Sequence, residues 1–233
     1  MLVMDGFLDV ELANRLLDEF PAIDAMPKSR DYVFGDKHEL SSVAQAGPAG
    51  RRFYEAMVSG DFAAFLSEAT GFEVFVDPSF HGGGFHQGDD GSFLDMHVDF
   101  NIHPHHDSWL RTLNLLLYLN PEWQASYGGE LLVKARIDQE PVAVAPLFNR
   151  AVLMLTDDHT YHGYRKMSLP SGVTRKSIAT YAYRKITGGP VRPRTTGWVP
   201  ENAGPLKRLL AINYNALVRA KNRWFGSGTA RNR

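Results

Sequence analysis

The sequence predicts a mainly β domain with packed helices, its core a double-sheet jelly roll. Three observations carry that expectation. Short β-prone runs recur near 73–77, 93–100, 111–119, 130–134, 142–145, 151–156 and 174–184. Gly, Pro, Asn and Asp punctuate the gaps between them. Helical apolar spacing is confined to the two ends of the chain, which divides it into N-terminal helices (1–71), a jelly-roll core (72–187) and a basic extension with one helix (188–233). A length of 233 residues with 44% hydrophobic content suffices for one large core.

The first helix is expected over Val10–Phe20, where Leu12, Leu16, Leu17 and Phe20 recur at helical spacing, Asp9 can cap and Pro21 stops the run. A second helical region over Ala49–Thr70 breaks near Gly60 and Asp61 and closes at Gly71; its stripe of Phe53, Met57, Phe62 and Phe65 is expected to enter the core. Gly82–Gly84 reads as a loop with His86 at its edge, and Gly128–Gly129 as a turn ahead of a strand. His103, His105 and His106 form a dense imidazole cluster that could attract zinc, but Pro104 and their adjacency oppose strand geometry, so a solvated loop is expected. Asp157, Asp158 and His159 are expected to form the turn before His162. After the connectors Gly188–Arg194 and Val199–Pro205 comes a helix from Leu206 to about Phe225, with Leu206, Leu209, Leu210, Leu217 and Val218 expected to pack on the domain.

Chemistry concentrates on three of these segments. In His97-Val98-Asp99 on an extended strand, alternation sends His97 and Asp99 to one face, from which both can reach one metal ion. One imidazole and one carboxylate make a weak site, and His162, from a distant strand, supplies a third ligand. Two histidines and a carboxylate leave three neighbouring positions open, the geometry of non-haem Fe(II) oxygenases. The run Gly172–Tyr183 places Arg175, Ser177, Ala179, Tyr181 and Tyr183 on one face and Lys176 on the other. A guanidinium meets a carboxylate with two parallel hydrogen bonds, so Arg175 with the Ser177 hydroxyl suits the distal carboxylate of 2-oxoglutarate. His86 and Asn101 are candidates for the substrate side, or satisfy loop backbone groups.

These residues carry a resemblance that runs from Asp5-Gly-Phe-Leu-Asp through Gly82-Gly-Gly-Phe-His86, His97–Asn101, Arg111–Trp123, Gly128-Gly-Glu-Leu131 and Phe148-Asn-Arg150 to Tyr183. The chain resembles the 2-oxoglutarate and Fe(II)-dependent dioxygenases of the prolyl-4-hydroxylase-like branch. The resemblance implies a double-stranded β-helix (cupin-like jelly roll), with His97, Asp99 and His162 on iron, Arg175 on 2-oxoglutarate and Tyr118 reaching the co-substrate from inside the barrel. It further implies hydroxylation of an unactivated C–H bond with O2, coupled to decarboxylation of 2-oxoglutarate to succinate and CO2, with ascorbate as an optional reductant. Asp99 argues against halogenation, whose enzymes lack this carboxylate. Prolyl or another amino-acid residue is the first substrate expected; a small metabolite or sugar unit is the alternative. A non-catalytic metal-binding scaffold would leave Arg175 unexplained, as would a cupin without a keto acid.

Composition bounds the partners. No apolar run reaches the roughly 20 residues of a membrane span, Met1–Gly6 has no signal-peptide character, and no cysteine is present; a cytoplasmic enzyme is expected. From Asn202 onward the chain has seven basic residues and no acidic one. Solvated cations on a packed helix explain this; contact with an anionic membrane surface or an acidic partner is the alternative. Nucleic acid is not expected, because no base-reading motif accompanies the charge.

Overall fold

The structure, a computed structural model, describes residues 1–28, 33–188, 191–201 and 203–225. The N-terminal part comprises β1 (Leu2–Asp5), α1 (Val10–Asp18), β2 (Gly35–Asp36), β3 (His38–Leu40), α2 (Val43–Ala46), α3 (Pro48–Met57) and α4 (Gly60–Thr70). The core follows with β4 (Phe75–Val76), β5 (Gly84–Gly88), β6 (Phe93–Val98), β7 (Ile102–His103), β8 (His106–Tyr118), β9 (Leu131–Lys134), β10 (Val142–Val144), β11 (Arg150–Leu155), β12 (Tyr161–Tyr164) and β13 (Arg175–Lys185). The C-terminal part adds β14 (Gly197–Trp198) and α5 (Pro205–Phe225).

Two antiparallel sheets face each other. The eight-stranded sheet runs β1-β11-β8-β13-β5-β3, with β4 beside β13 and β7 beside β8; the six-stranded sheet runs β10-β9-β12-β6-β14, with β2 beside β6. The jelly roll is therefore as expected, but the edges are not. β1, β2 and β3 lie in the N-terminal part read as helices and β14 in the C-terminal extension, and each is too short to show alternation in sequence.

Period-two alternation divides the long strand β8 between two cores. Leu113, Leu115 and Leu117 point to the helix side, where they meet Ala13 and Leu16 of α1 and Phe53 and Met57 of α3. Leu116 and Tyr118 point between the sheets toward Val133, Val152 and Met154. Fully burying each such leucine contributes about 1.5–3 kcal/mol. The Asp9 carboxylate accepts the N–H groups of Glu11 and Leu12 at 3.0 and 3.3 Å, the expected cap of α1. Gly71 ends α4 in the left-handed region (φ 73°), also as expected.

Other expectations are corrected. Phe53 and Met57 are buried, but Phe65 is 42% exposed and stacks on Phe62, while Leu66 takes the inward position. His103 is not in a solvated loop. It lies on β7, joined to β8 by a tight turn, and its buried Nε2 lies 3.2 Å from Asp77 Oδ2. On α5, Leu206, Leu209 and Leu217 are exposed and Leu210 is 38% exposed; Ala211 and Tyr214 make the packing against Phe34 and Trp198 instead. Among the described residues no helix is long and apolar enough to cross a membrane. Arg231 and Arg233 lie outside the described residues.

Candidate active site

Strand pairing assembles the predicted metal donors. His162 on β12 is the register partner of His97 on β6, so the two rings stand on adjacent strands with centroids 4.2 Å apart. Asp99 follows just beyond the end of β6, with Oδ1 3.6 Å from His97 Nε2 and Oδ2 3.5 Å from His162 Nε2. One ligand atom from each of the three lies within 4.8 Å of the others, and no other such group occurs among the described residues. Gly163 makes the close strand approach possible, since a Cβ there would lie 2.5 Å from the Leu94 carbonyl oxygen.

The local chemistry keeps these donors in ligating form. His97 Nδ1 lies 2.9 Å from the Asp95 carbonyl oxygen, to which it donates, leaving the Nε2 lone pair toward the cluster. Burial, reinforced by His97, pushes His162 down to about 3, so its imidazole is neutral near pH 7. Burial opposes charge on Asp99, but Arg111, His162 and His97 outweigh it and hold the carboxyl well below the usual carboxylate range. Two imidazoles and a carboxylate are the donor set a divalent iron ion takes.

Arg111, which the sequence did not single out, also reaches the donor cluster. Its Nη2 lies 2.9 Å from Asp99 Oδ2, and its guanidinium stacks 3.4 Å above the Tyr181 ring. Plain alternation from Leu113 would aim Arg111 at the helix side. Between Ala182↔Leu113 and Tyr183↔Arg111 the register shifts, Thr112 is the extra residue, and the bulge turns Arg111 inward.

The opposite end of the chamber belongs to β13 and β8. Arg175 is buried; its Nε donates to the Gly129 carbonyl oxygen at 2.8 Å and its Nη2 lies 3.4 Å from the Tyr118 hydroxyl. The guanidinium also lies 4.3 Å from the Tyr164 ring centroid. Gly129 (φ 73°) has to be glycine: a Cβ would meet the Met167 sulfur at 2.5 Å and Arg175 Cδ at 3.2 Å. Ser177 is buried and pairs with Tyr118 in register, which brings all three predicted co-substrate residues to one place. Lys176 points to the other face as expected, half-buried toward Phe20 with Nζ 2.5 Å from Thr174 Oγ1. The strand-alternation argument therefore separates the two cations correctly.

The two substrate-side candidates diverge. His86 on β5 lies opposite Ser177, and its buried Nε2 has no hydrogen-bond partner; burial, aided by Lys37, pushes it down to about 3. Asn101 does not join the chamber. Its Nδ2 donates to the Arg192 carbonyl oxygen at 3.0 Å and its Oδ1 accepts from the Arg194 N–H at 2.7 Å, fastening the C-terminal segment to the metal strand. Asp157 forms the expected turn, accepting the N–H groups of His159 and Thr160. The C-terminal segment contributes a side chain that sequence reading placed apart from the chemistry. Trp198 is the register partner of His97, its ring 4.8 Å from the His97 ring on one side and stacked on Phe34 at 5.0 Å.

The profile of the 2OG-Fe(II) oxygenase superfamily matches residues 83–183, the segment from β5 to β13 that holds every donor described. No curated protein sequence matches the chain. Among solved structures, a Pseudomonas putida prolyl-4-hydroxylase is 22% identical with a TM-score of 0.58, covering 79% of this chain and 92% of its own. A Trichoplax adhaerens prolyl hydroxylase, solved with a hypoxia inducible factor peptide fragment, is 15% identical with a TM-score of 0.55, covering 78% and 82%. HygX from Streptomyces hygroscopicus, solved with nickel, 2-oxoglutarate and hygromycin B, is 12% identical with a TM-score of 0.52, covering 86% and 92%. The family profile spans the strands that build the site, so this segment is similar to the 2OG-Fe(II) oxygenases, and the chain shares its fold with prolyl hydroxylases of known structure.

Proposed function

We propose that the protein hydroxylates an unactivated C–H bond, using Fe(II) held by His97, Asp99 and His162, with 2-oxoglutarate and O2 as co-substrates. The observation that carries this reading is the spatial order in one chamber: three metal donors at one end and a buried Arg175 with Tyr118 and Ser177 at the other. Iron and 2-oxoglutarate, when bound, supply the oxidising chemistry, and the balance is one O2 and one 2-oxoglutarate consumed per hydroxyl group formed, succinate and CO2 released.

The chain's own residues orient and exclude water. Arg175 and the hydroxyls of Ser177 and Tyr118 fix the far carboxylate in a region closed to solvent, where charge-assisted contacts are strong. Arg111 keeps Asp99 ionised and oriented without taking a coordination position. Trp198 walls the far side of His97, so we place residues up to Trp198 within the catalytic unit.

Prolyl or another amino-acid residue in a peptide is the first substrate, supported by the fold shared with prolyl hydroxylases. A small metabolite or sugar unit is the second, supported by the same fold in HygX, whose structure holds hygromycin B. A screen of prolyl peptides, free amino acids and amino sugars, read by succinate release and product mass, tests both. Succinate formation with no product gaining one oxygen atom from any class would remove these substrates; no succinate from iron-loaded protein with any of them would favour a binding scaffold.

A further inference from the structure

Helix α5 packs on the domain by its less aliphatic side. Ala211 and Tyr214 meet Phe34 and Trp198, and Lys207 reaches back to β6 with its Nζ 2.7 Å from Asp95 Oδ2. The aliphatic side faces away: Leu206 is 71% exposed, Leu209 57%, Ile212 79% and Leu217 51%. Leu209 and Leu210 lie three and four residues after Leu206, and Leu217 seven after Leu210, so the four leucines form one stripe with Ile212 at its margin.

A single exposed leucine on a protein surface is ordinary, but five aliphatic side chains of one helix left in water are not. A helix at a domain surface normally turns such a stripe toward the core. Here the core side is already taken by Ala211 and Tyr214, so the stripe gains nothing from folding and would gain from entering a second apolar phase.

The charge of the same segment indicates which phase. From Asn202 onward the chain has seven basic residues, and all 26 acidic residues of the chain precede that position. Lys207 is held by Asp95, and Arg208 donates to the Glu201 carbonyl oxygen at 3.4 Å. The other five cations follow Leu217, and the last turn of α5 also carries Trp224 and Phe225. Leucine, tryptophan and phenylalanine together with lysine and arginine make up helices that lie in the headgroup boundary of an anionic bilayer, where the stripe enters the acyl region and the cations stay with the phosphates. Among the described residues no helix is long and apolar enough to cross, so the contact would run along the surface. A symmetrical contact between two copies would bring two acid-free basic segments together, which like charge opposes.

We propose that α5 docks the protein on an anionic lipid surface, its Leu206–Leu217 stripe entering the acyl boundary and the basic residues around it pairing with lipid phosphates.

Sedimentation of the full chain with vesicles tests this, using phosphatidylcholine alone or mixed equally with phosphatidylglycerol. Binding is expected to the mixed vesicles only, and should weaken as salt is raised. Leu206→Ser combined with Leu209→Ser should weaken it by about tenfold or more, since the apolar contribution scales with the area immersed. Both side chains already stand in water, so circular dichroism should be unchanged; Leu206→Gln alone, with a smaller loss in the same direction, repeats the measurement should the double variant fold poorly. Equal binding by wild type and a folded variant would overturn the proposal, leaving charge alone as the attraction. No binding to mixed vesicles at low salt would do the same. Binding to polyglutamate without binding to vesicles would assign the helix to an acidic protein partner, and a dimer in the ultracentrifuge that the double variant loses would assign the stripe to a second copy of the chain; either outcome removes the lipid surface.

Discussion

Two imidazole clusters sit on the same β-rich core, and only one is built for a metal. At the metal end two rings and a carboxylate converge from adjacent strands, with Asp99 closing the set. At the β7–β8 turn, His81, His103, His105 and His106 crowd one another with ring centroids 4.9 to 5.8 Å apart for the His81–His103, His81–His105, His103–His105 and His103–His106 pairs. Yet both nitrogens of His103 are already engaged, Nε2 with Asp77 and Nδ1 with the His105 N–H. Histidine density is thus a poor guide. A metal site needs lone pairs aimed at one point and a carboxylate that no hydrogen bond has claimed for the backbone, whereas Asp77 is taken up by the Ser79 and His81 N–H groups.

The largest effect expected from this contrast is loss of metal. Asp99→Ala or His162→Ala should abolish binding of Mn(II) or Fe(II) by calorimetry, with the fold intact by circular dichroism, while His159→Ala should leave it unchanged. Retained affinity in Asp99→Ala would remove that residue from the site. One ion per chain is the expected stoichiometry, and a second, lost on His105→Ala, would give the other cluster a metal role after all.

Next in size is the co-substrate. Arg175→Ala removes a desolvated charge contact and should weaken 2-oxoglutarate by about 30-fold to several thousand-fold, on the order of 2–5 kcal/mol. Lys176→Ala, on the opposite face, should cost far less. The anaerobic dissociation constants decide between them, and the reverse ranking would put the strand one residue out of register.

A smaller effect belongs to Trp198, which touches His97 through packing alone. Trp198→Ala, or truncation after Lys185, should weaken the metal by about tenfold, the lower end for loss of an outer partner. Cobalt(II) spectra would show an altered ligand field. Identical spectra and affinity would return the C-terminal segment to a purely peripheral role.

The smallest effect is on stability and belongs to the second cluster. Burial lowers the folded-state values of His81 and His103 below the ordinary 6.5. A depressed histidine is neutral when folded and takes up protons more readily when unfolded, so its contribution is present above about pH 6.5 and fades as pH falls below that. The midpoint of thermal unfolding should therefore drop between pH 7 and pH 5, and His81→Asn should flatten the slope. An unchanged slope would mean that other groups carry the titration.

Much of the site was legible because it is written in short-range spacing. His97 and Asp99 two apart, and Arg175 and Ser177 two apart, share a face by alternation alone, and Lys176 is excluded by the same rule. What escaped depends on interruptions of alternation. Arg111 reaches Asp99 only because Thr112 bulges, and nothing in the composition of β8 marks which residue is the extra one. For Asn101 the sequence left two readings open, the substrate side or loop backbone groups, and only the fold shows that its amide serves backbone groups in a segment 91 and 93 residues away.

By itself, then, the sequence determined the jelly-roll class, the capped helix α1, the candidate donors His97, Asp99 and His162 that the fold brings together, and the inward face of Arg175, each a consequence of local periodicity or donor chemistry. Only the tertiary structure decided that a bulge at Thr112 turns Arg111 toward Asp99, that β14 sets Trp198 against His97, and that the leucines of α5 face outward. The physical reason is that two- and three-residue edge strands carry no periodic signal, and the face of a helix that packs is chosen by the shape it meets. Phe34 and Trp198 offer a surface to Ala211 and Tyr214, and the more apolar side is left exposed.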